Sequence, residues 1–416
     1  MLAPGSKGWI NKYFDLASKG EFEIKLNAPE GLNNKEYLHY AMLKSGMVFG
    51  FASELLFADK LDANHWTTQE KLKVLLLEAH VFIYEQEIGN TLKNKNQFKA
   101  RLLEFYGKHN ASAISGLFRI FIKEKEDERI ENILTKRLEV KGNLLEGKFC
   151  FNYLSNAFVY LDVILFREFL RNRKESFSQY SELAQKALTA ISLAAFSDGE
   201  VHEQEKAIFQ IFLASANLSD QQKKIAQERF KKGAKIEDLG EIAQSSWLLR
   251  RFVLDLSVLT MFANETTSPD EYAYFESFCE YLEVPQKEVN MAIAMTENFV
   301  LANNRKVEFL KNTSSYEKMY SNLSRRWIKI LGRNKDKLIV ELKESKELMY
   351  LIRKSTKEEL TKEEKEMVKT QFLDIIKSMP ALAIFMLPGG ALLLPIVLKI
   401  IPDLIPSAFR DNELDS

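Results

Sequence analysis

Apolar residues recur at a spacing of three to four residues along nearly the whole of this 416-residue chain. That spacing is typical of amphipathic α-helices, whereas half-buried β-strands alternate apolar and polar residues. Helix-breaking residues are few, with nine prolines and seventeen glycines. We therefore expect an all-α protein, with long amphipathic helices at residues 36–57 and 68–88 and with Gly89-Asn90 as the end of the second. The chain is too long for one simple helical bundle, which predicts a multi-domain helical bundle protein.

The composition excludes several classes of function. Lys+Arg and Asp+Glu balance at 58 each, so the net charge gives no attraction to DNA. The sequence contains no P-loop, no dinucleotide-binding fingerprint and no G-x-S-x-G motif. We therefore expect no enzyme activity. The first nine residues lack a basic stretch followed by an apolar one, which predicts a cytoplasmic protein without a secretory signal.

Residues 180–300 contain an internal repeat with an offset of 66 residues. Asp198 falls on Asn264, and Glu205 falls on Glu271. In each copy an apolar helix is predicted to lead through a polar turn into an amphipathic helix. Two such helical pairs can bury their apolar faces against each other.

The polar turn of the first copy, DGEVHEQE at residues 198–205, resembles the signature of the TerB-like family. That family has a duplicated helical bundle, with a DGE turn followed by a Glu on the next helix. Acidic turn residues of the family are associated with divalent metal binding. The resemblance therefore implies Asp198, Glu200 and Glu205 as ligands of a divalent cation such as Ca²⁺ or Mg²⁺.

Glu205 also has an ordinary structural interpretation, which we prefer. Ser268 to Glu271 forms a capping box in the second copy, with Pro269 at the first helical position. Glu205 is predicted to occupy the same third helical position in the first copy. An EF-hand is excluded because its loop needs a Glu where Phe209 stands.

Residues 301–377 are basic, with nineteen Lys+Arg against twelve Asp+Glu. Basic residues around a Trp suit an anionic membrane surface or RNA phosphates, although a solvated helix face is the more common outcome. A capping box at Thr361–Glu364 predicts a helix that begins near Thr361. The candidate basic surface comprises Arg325, Arg326, Trp327, Lys329, Arg333, Lys335 and Lys337.

Residues 379–401 form a hydrophobic stretch in which Lys399 is the one charged residue. Its length is sufficient to cross a bilayer, which takes ~20 residues. The internal Pro388-Gly389-Gly390 breaks a straight helix, because proline removes a helical hydrogen bond. A kinked span, a re-entrant hairpin and a hairpin buried in a soluble bundle all stay open.

The same stretch resembles the membrane-associated segment of the LETM family. The residues assigned to this helix–break–helix segment are Pro380, Leu387, Pro388, Gly389, Gly390, Pro395, Lys399, Pro402 and Pro406. The family is linked to cation exchange and volume homeostasis in mitochondria, and to ribosome binding through a downstream domain. Because the sequence stops seven residues after Phe409, we expect most of that downstream region to be missing.

These features predict a bacterial protein with three parts. Residues 1–175 would form an N-terminal helical domain, residues 180–300 the TerB-like domain, and residues 301–416 a basic linker with the LETM-like segment. We expect a non-enzymatic, membrane-proximal scaffold or accessory protein in cation homeostasis, associated with the inner membrane. A component of a cation transporter and a soluble module that binds ribosomes or RNA are the alternatives. Transport through one broken segment would require an oligomer.

Overall fold

In the computed structural model, the chain is described over residues 1–28, 32–108, 125–139, 156, 158–171, 179–197, 201, 203–261, 269–303, 331–332, 335–355, 358–377 and 398. These residues form helices and loops and contain no strand, which confirms the all-α prediction. The helices before the repeat are α1 (Trp9–Ser18), α2 (Asn34–Ser45), α3 (Thr68–Glu87), α4 (Lys95–Lys108), α5 (Glu126–Leu138) and α6 (Val159–Leu170). The remaining helices are α7 (Tyr180–Ala195), α8 (Glu203–Ser215), α9 (Asp220–Lys232), α10 (Trp247–Met261), α11 (Pro269–Tyr281), α12 (Gln286–Asn303), α13 (Lys335–Glu344), α14 (Lys346–Ser355) and α15 (Lys362–Lys377).

The chain divides into two compact units. The first consists mainly of Met1–Asn27 and Asn34–Ala292, and the second mainly of Ile293–Lys306 and Leu310–Ser416. The predicted domain boundary near residue 300 lies close to this division, whereas the predicted boundary between residues 175 and 180 lies inside the first unit. The division of the chain into three domains stays a prediction.

Helix α3 lies at the centre of the N-terminal half of the first unit, where α4, α5 and α6 pack against it. It begins with a capping box, in which the Thr67 hydroxyl accepts from the Glu70 amide at 3.1 Å and the Glu70 carboxylate accepts from the Thr67 amide at 2.8 Å. It ends where Gly89 and Asn90 adopt positive φ angles of 84° and 54°. Both ends agree with the helix that the sequence predicts over residues 68–88.

Helix α2 is shorter than the helix that apolar spacing predicts over residues 36–57. It ends at Ser45, and a 3₁₀ turn at Met47–Phe49 follows. Gly46, with φ of 82°, causes this difference. A Cβ atom on Gly46 would collide with the carbonyl oxygen of Phe51, so only glycine fits this turn.

The repeat extends over three helices in each copy rather than two. A shift of 66 residues moves the end of α7 onto the end of α10, both bounds of α8 onto those of α11, and the start of α9 onto the start of α12. The shift also moves Asn217 onto Glu283, and both have positive φ angles, of 46° and 50°. Non-glycine residues rarely adopt this conformation, so the shared turn is strong evidence of duplication.

The equivalent helices α7 and α10 make the most extensive contact of any described pair of helices. Nearly every residue of α10 from Leu248 to Met261 is buried, as is every residue of α7 from Ala187 to Ala195. The predicted packing of the two copies through their apolar faces is therefore confirmed.

Candidate functional site

The proposed metal-binding turn falls mostly outside the described residues. Asp198 and Glu200 lie there, while Glu205 stands at the third position of α8 with 1% of its surface exposed. This position is the one that the capping interpretation predicts. The described residues include no group of three or more His, Cys, Asp or Glu side chains placed to hold a metal ion. The metal site therefore stays a prediction.

The predicted basic surface and hydrophobic segment are described only in part. Lys335 begins α13, and Lys337 is exposed in its first turn. The other basic-surface residues lie outside the described residues, as do all nine residues assigned to the hydrophobic segment, Pro380 to Pro406. Of the helices that are described, none has both the length and the apolar character needed to cross a bilayer.

The first unit contains buried acids that the sequence analysis missed. Glu78, Asp162 and Asp255 each stand within an apolar stretch of a helix, and each is completely buried. An isolated acid in an apolar run is the sequence signal that could have found them, since buried charges require compensation. Each one lies at a junction between chain segments that are distant in sequence.

Glu78 of α3 binds the loop that follows α2. Its Oε1 accepts hydrogen bonds from the Ala58 amide at 2.9 Å and from the Tyr13 hydroxyl at 3.1 Å. Its Oε2 accepts from the amides of Leu56 at 2.6 Å and Phe57 at 3.2 Å. Burial raises the pKa of Glu78 to about 7, although the four donors act in the opposite direction.

Asp162 of α6 forms a bidentate ion pair with Arg137 of α5. The Arg137 Nε and Nη2 atoms each donate to the carboxylate at 2.7 Å, and the Tyr106 hydroxyl donates to it at 3.0 Å. The guanidinium carbon lies 4.7 Å from the ring centroid of Tyr180 at the start of α7. Asn156 binds the Arg137 carbonyl oxygen at 2.9 Å. This cluster joins α4, α5, α6 and α7.

A second buried cluster surrounds His39 of α2. Its Nε2 lies 2.9 Å from the Asp255 carboxylate of α10, and its Nδ1 lies 3.1 Å from the Tyr160 hydroxyl of α6. Because Asp255 can only accept, Nε2 carries the proton and Nδ1 accepts from Tyr160. Arg251, one turn before Asp255, has its Nη2 atom 3.6 Å from the same carboxylate. Its Nη1 atom donates to the carbonyl oxygen of Glu288.

The His39 cluster reaches the surface through Trp247. The indole Nε1 of this half-buried residue donates to the Glu288 carboxylate at 2.8 Å, and the Lys35 ammonium lies 4.9 Å from a ring centroid. Burial is the largest influence on the pKa of His39 and lowers it, against the opposing effect of Asp255. The imidazole is therefore neutral at neutral pH, when its Nδ1 can accept from the Tyr160 hydroxyl.

In both clusters the polar groups of one helix bind those of another. In the Asp162 cluster donors and acceptors are matched across the helix junctions, and in the His39 cluster the ionisable groups lie close together. The main effect of these groups is therefore to fix the positions of the helices. Such contacts are typical of a helical body in which the helices have fixed relative positions.

In the second unit, α13, α14 and α15 pack together around apolar side chains. Leu342, Leu348, Ile352, Val368 and Phe372 are buried there. The predicted capping box at the start of α15 is present, with the Glu364 amide donating to the Thr361 hydroxyl at 3.2 Å and the Thr361 amide donating to the Glu364 carboxylate at 2.9 Å. These three helices, residues 335–377, are called the C-terminal module below.

The last helix of this module coincides with a similarity to a known family. Residues 360–415 match the family model described as LETM1-like, RBD. The C-terminal region of this chain is LETM-related. The match begins two residues before α15 and continues through the hydrophobic segment at residues 379–401. No curated protein and no solved structure is significantly similar to the chain.

The sequence resembles the LETM family over about residues 340–410, and the family match covers this region from Leu360 onward, including α15. LETM1-like proteins are a membrane-associated family with a relation to ion homeostasis. The resemblance of residues 180–300 to TerB-like proteins stays a prediction, although the duplication of three helices there is observed.

Proposed function

We propose that this protein is a non-enzymatic, membrane-proximal scaffold or accessory protein in cation homeostasis. The observation that carries this proposal is the LETM1-like match over residues 360–415. The matched residues include the 23-residue stretch from Met379 to Ile401, which has the length and apolar character of a membrane-inserting segment. The ordered C-terminal module would then lie beside the bilayer.

The first unit supports a scaffold role. The clusters around Asp162 and His39 each join at least three helices, counting the helix of Asp162 or His39 itself, and hold these helices in fixed positions. Buried polar networks of this kind specify one arrangement of helices. A rigid body of this size can hold a partner protein at the membrane surface without catalysing a reaction.

We further propose that the acidic turn at residues 198–205 binds a divalent cation. Glu205 lies in the first turn of α8, a few residues after Asp198 and Glu200 in sequence. Calorimetric titration of the protein with CaCl₂ and with MgCl₂ tests this site. Binding that is lost in Asp198→Asn and Glu200→Gln variants supports it, whereas equal heats in wild type and variants contradict it.

A second candidate function is ribosome or RNA binding. The term RBD in the description of the matching family model favours it, as does the basic composition of residues 301–377. In this case Lys337 and the basic residues from Arg325 to Lys335 would contact phosphate groups. Co-sedimentation with ribosomes at low and high salt would detect such an interaction.

Cell fractionation distinguishes the two candidates. Membranes that contain the full chain are washed with high salt and then with carbonate. A membrane-inserted chain resists both washes, whereas a chain bound through basic residues is released by salt. Resistance to both washes would justify ion-flux assays, which test the alternative of a transporter component.

One control for fractionation removes the hydrophobic stretch together with the residues after it, and the other changes two residues within the stretch. A chain that ends at Ser378 and a full-length Leu393→Arg, Leu394→Arg variant should both be recovered in the soluble fraction. Wild-type protein in the soluble fraction would contradict the membrane proposal. Recovery of the arginine variant in carbonate-washed membranes would show that another part of the chain inserts.

A further inference from the structure

The C-terminal module exposes large apolar side chains. Val340, Tyr350 and Met367 are exposed by 59%, 64% and 39%. The rest of the described chain contributes Met1, Ile88 and Ile225, which lie on separate elements. Apolar exposure is therefore concentrated in a module of 43 residues, and such a concentration indicates a contact surface.

Two polar contacts align α14 with α15. The Gln371 amide donates to the Glu347 carboxylate at 2.6 Å, and Lys354 Nζ lies 2.7 Å from Glu364 Oε1. Glu347, near the start of α14, contacts Gln371 in the second half of α15, whereas Lys354, near the end of α14, contacts Glu364 near the start of α15. The two helices therefore run antiparallel. Each contact lies two helical turns from the other along both helices.

Tyr350 and Met367 lie between these two contacts. Tyr350 follows Glu347 by three residues and precedes Lys354 by four, which places all three on one face of α14. The same spacing places Met367 between Glu364 and Gln371 on one face of α15. The two side chains are therefore neighbours at the outer edge of the contact between α14 and α15, and they are called the Tyr350–Met367 patch below.

Several charges around the patch are paired with one another. Lys354 also lies 3.7 Å from Glu358, and Lys369 lies 2.7 Å from Glu366. The module as a whole has eleven Lys+Arg and ten Asp+Glu. A nearly neutral surface of this kind is unsuited to RNA, whose binding depends on unpaired cations that neutralise phosphates.

We propose that the Tyr350–Met367 patch contacts the interfacial region of a lipid bilayer. Met367 is ten residues before the end of α15 at Lys377, which corresponds to ~15 Å along the helix. One residue, Ser378, separates that end from the hydrophobic stretch. The patch thus stays close to the point where the chain would enter the membrane, and this inference rests on the proposed function.

The chemistry of Tyr350 and Met367 fits a contact with the interfacial region of a lipid bilayer. A tyrosine has an apolar ring and a polar hydroxyl, and it concentrates at membrane–water interfaces for that reason. Methionine is flexible and apolar and adapts to an irregular surface. Because the module is nearly neutral, the contact requires no anionic lipid.

Site-specific labelling of the full chain tests the patch. Tyr350→Cys, Met367→Cys and a control, Ile225→Cys, are treated with a membrane-impermeant maleimide, with and without vesicles. Ile225 is a suitable control because it is 43% exposed on α9 of the first unit. Peptide mass spectrometry assigns the label and separates it from Cys150 and Cys279. Vesicles of phosphatidylcholine are compared with vesicles that also contain phosphatidylglycerol.

We expect both types of vesicle to slow labelling at positions 350 and 367 by about fivefold or more, because interfacial apolar faces lie ~5–10 Å below the headgroup surface. Labelling at position 225 should not change. If the chain binds vesicles but all three positions react at unchanged rates, the patch proposal is wrong and the proposed function stands. If the chain binds no vesicles, both are wrong. Protection by ribosomes and not by vesicles would also overturn the patch proposal, in favour of the second candidate function.

Discussion

At the scale of single residues, the first unit depends on buried charges that have specific partners. Asp162 is completely buried and 2.7 Å from two nitrogen atoms of Arg137, which is itself 5% exposed. Removing one member of such a pair leaves the other charge buried without compensation. The loss is then much larger than the contribution of a surface ion pair.

An Asp162→Asn substitution should lower the free energy of unfolding by ~3–5 kcal/mol, because Arg137 loses its counter-charge. A Glu203→Gln substitution is the matched control, since it removes the exposed ion pair with Lys206 and should cost less than ~1 kcal/mol. Urea unfolding followed by circular dichroism measures both. Similar losses for the two variants would show that the buried pair has no special role.

Glu78 predicts a dependence of stability on pH. Its pKa is raised to about 7 when the chain is folded, so the folded state favours the protonated form. The resulting stabilisation is complete below the ordinary pKa of about 4.5 and is lost as the pH rises through about 7. Wild type should therefore lose about 3 kcal/mol relative to Glu78→Gln between about pH 4 and pH 8. Parallel pH profiles for the two proteins would contradict this.

These residues also show which features of a buried charge the sequence predicts. An acid within an apolar run, such as Asp255 between Leu254 and Leu256, indicates a buried charge. It does not indicate the partner, because His39 is more than two hundred residues away. Glu205 was placed correctly at the third position of its helix because a capping box depends only on neighbours in sequence.

At the scale of elements, local sequence signals determine the ends of several helices. The predicted capping box at Thr361 and the predicted stop at Gly89-Asn90 coincide with observed helix ends. A further capping box, at Thr67, begins α3. Periodicity alone was less informative, since it missed the end of α2 at Ser45. Gly46 ends that helix through a close approach to Phe51, and such a contact is visible only in three dimensions.

The start of α15 should depend on its capping residue. A Thr361→Ala substitution removes the hydroxyl that accepts from the Glu364 amide and should destabilise the first turn by ~1 kcal/mol. Hydrogen exchange of the amides in that turn should become several-fold faster. Thr370→Ala, in the middle of the same helix, is the control and should leave their exchange unchanged. Equal exchange in wild type and Thr361→Ala would refute the capping role.

The junction of α2, α6 and α10 should weaken in acid. The pKa of His39 is lowered by burial among Tyr160, Arg251, Asp255 and the nearby Glu288, so the unfolded chain takes up a proton more readily than the folded one. Stability due to His39 is present above its ordinary pKa of about 6.5 and is lost as the pH falls below it. A His39→Gln variant should lose less stability than wild type between about pH 7 and pH 5. An equal loss would exclude His39 as the cause.

At the scale of the whole molecule, the repeat and the LETM-like region were recognised from different signals. The 66-residue offset was visible in sequence, but its extension to a third helix became clear from the matching bounds of α9 and α12. The LETM-like region was recognised from its prolines, glycines and apolar residues, and the family match over residues 360–415 agrees. The function of the three-helix repeat depends on what it binds, and sequence periodicity does not identify a binding partner.

Flotation of the purified full chain with phosphatidylcholine vesicles on a sucrose gradient tests the central claim most directly. Wild type should float with the vesicles and remain bound in high salt, because apolar insertion is insensitive to ionic screening. The Leu393→Arg, Leu394→Arg variant should stay at the bottom of the gradient. Recovery of the wild-type chain at the bottom, folded and free of lipid, would contradict a membrane-proximal scaffold.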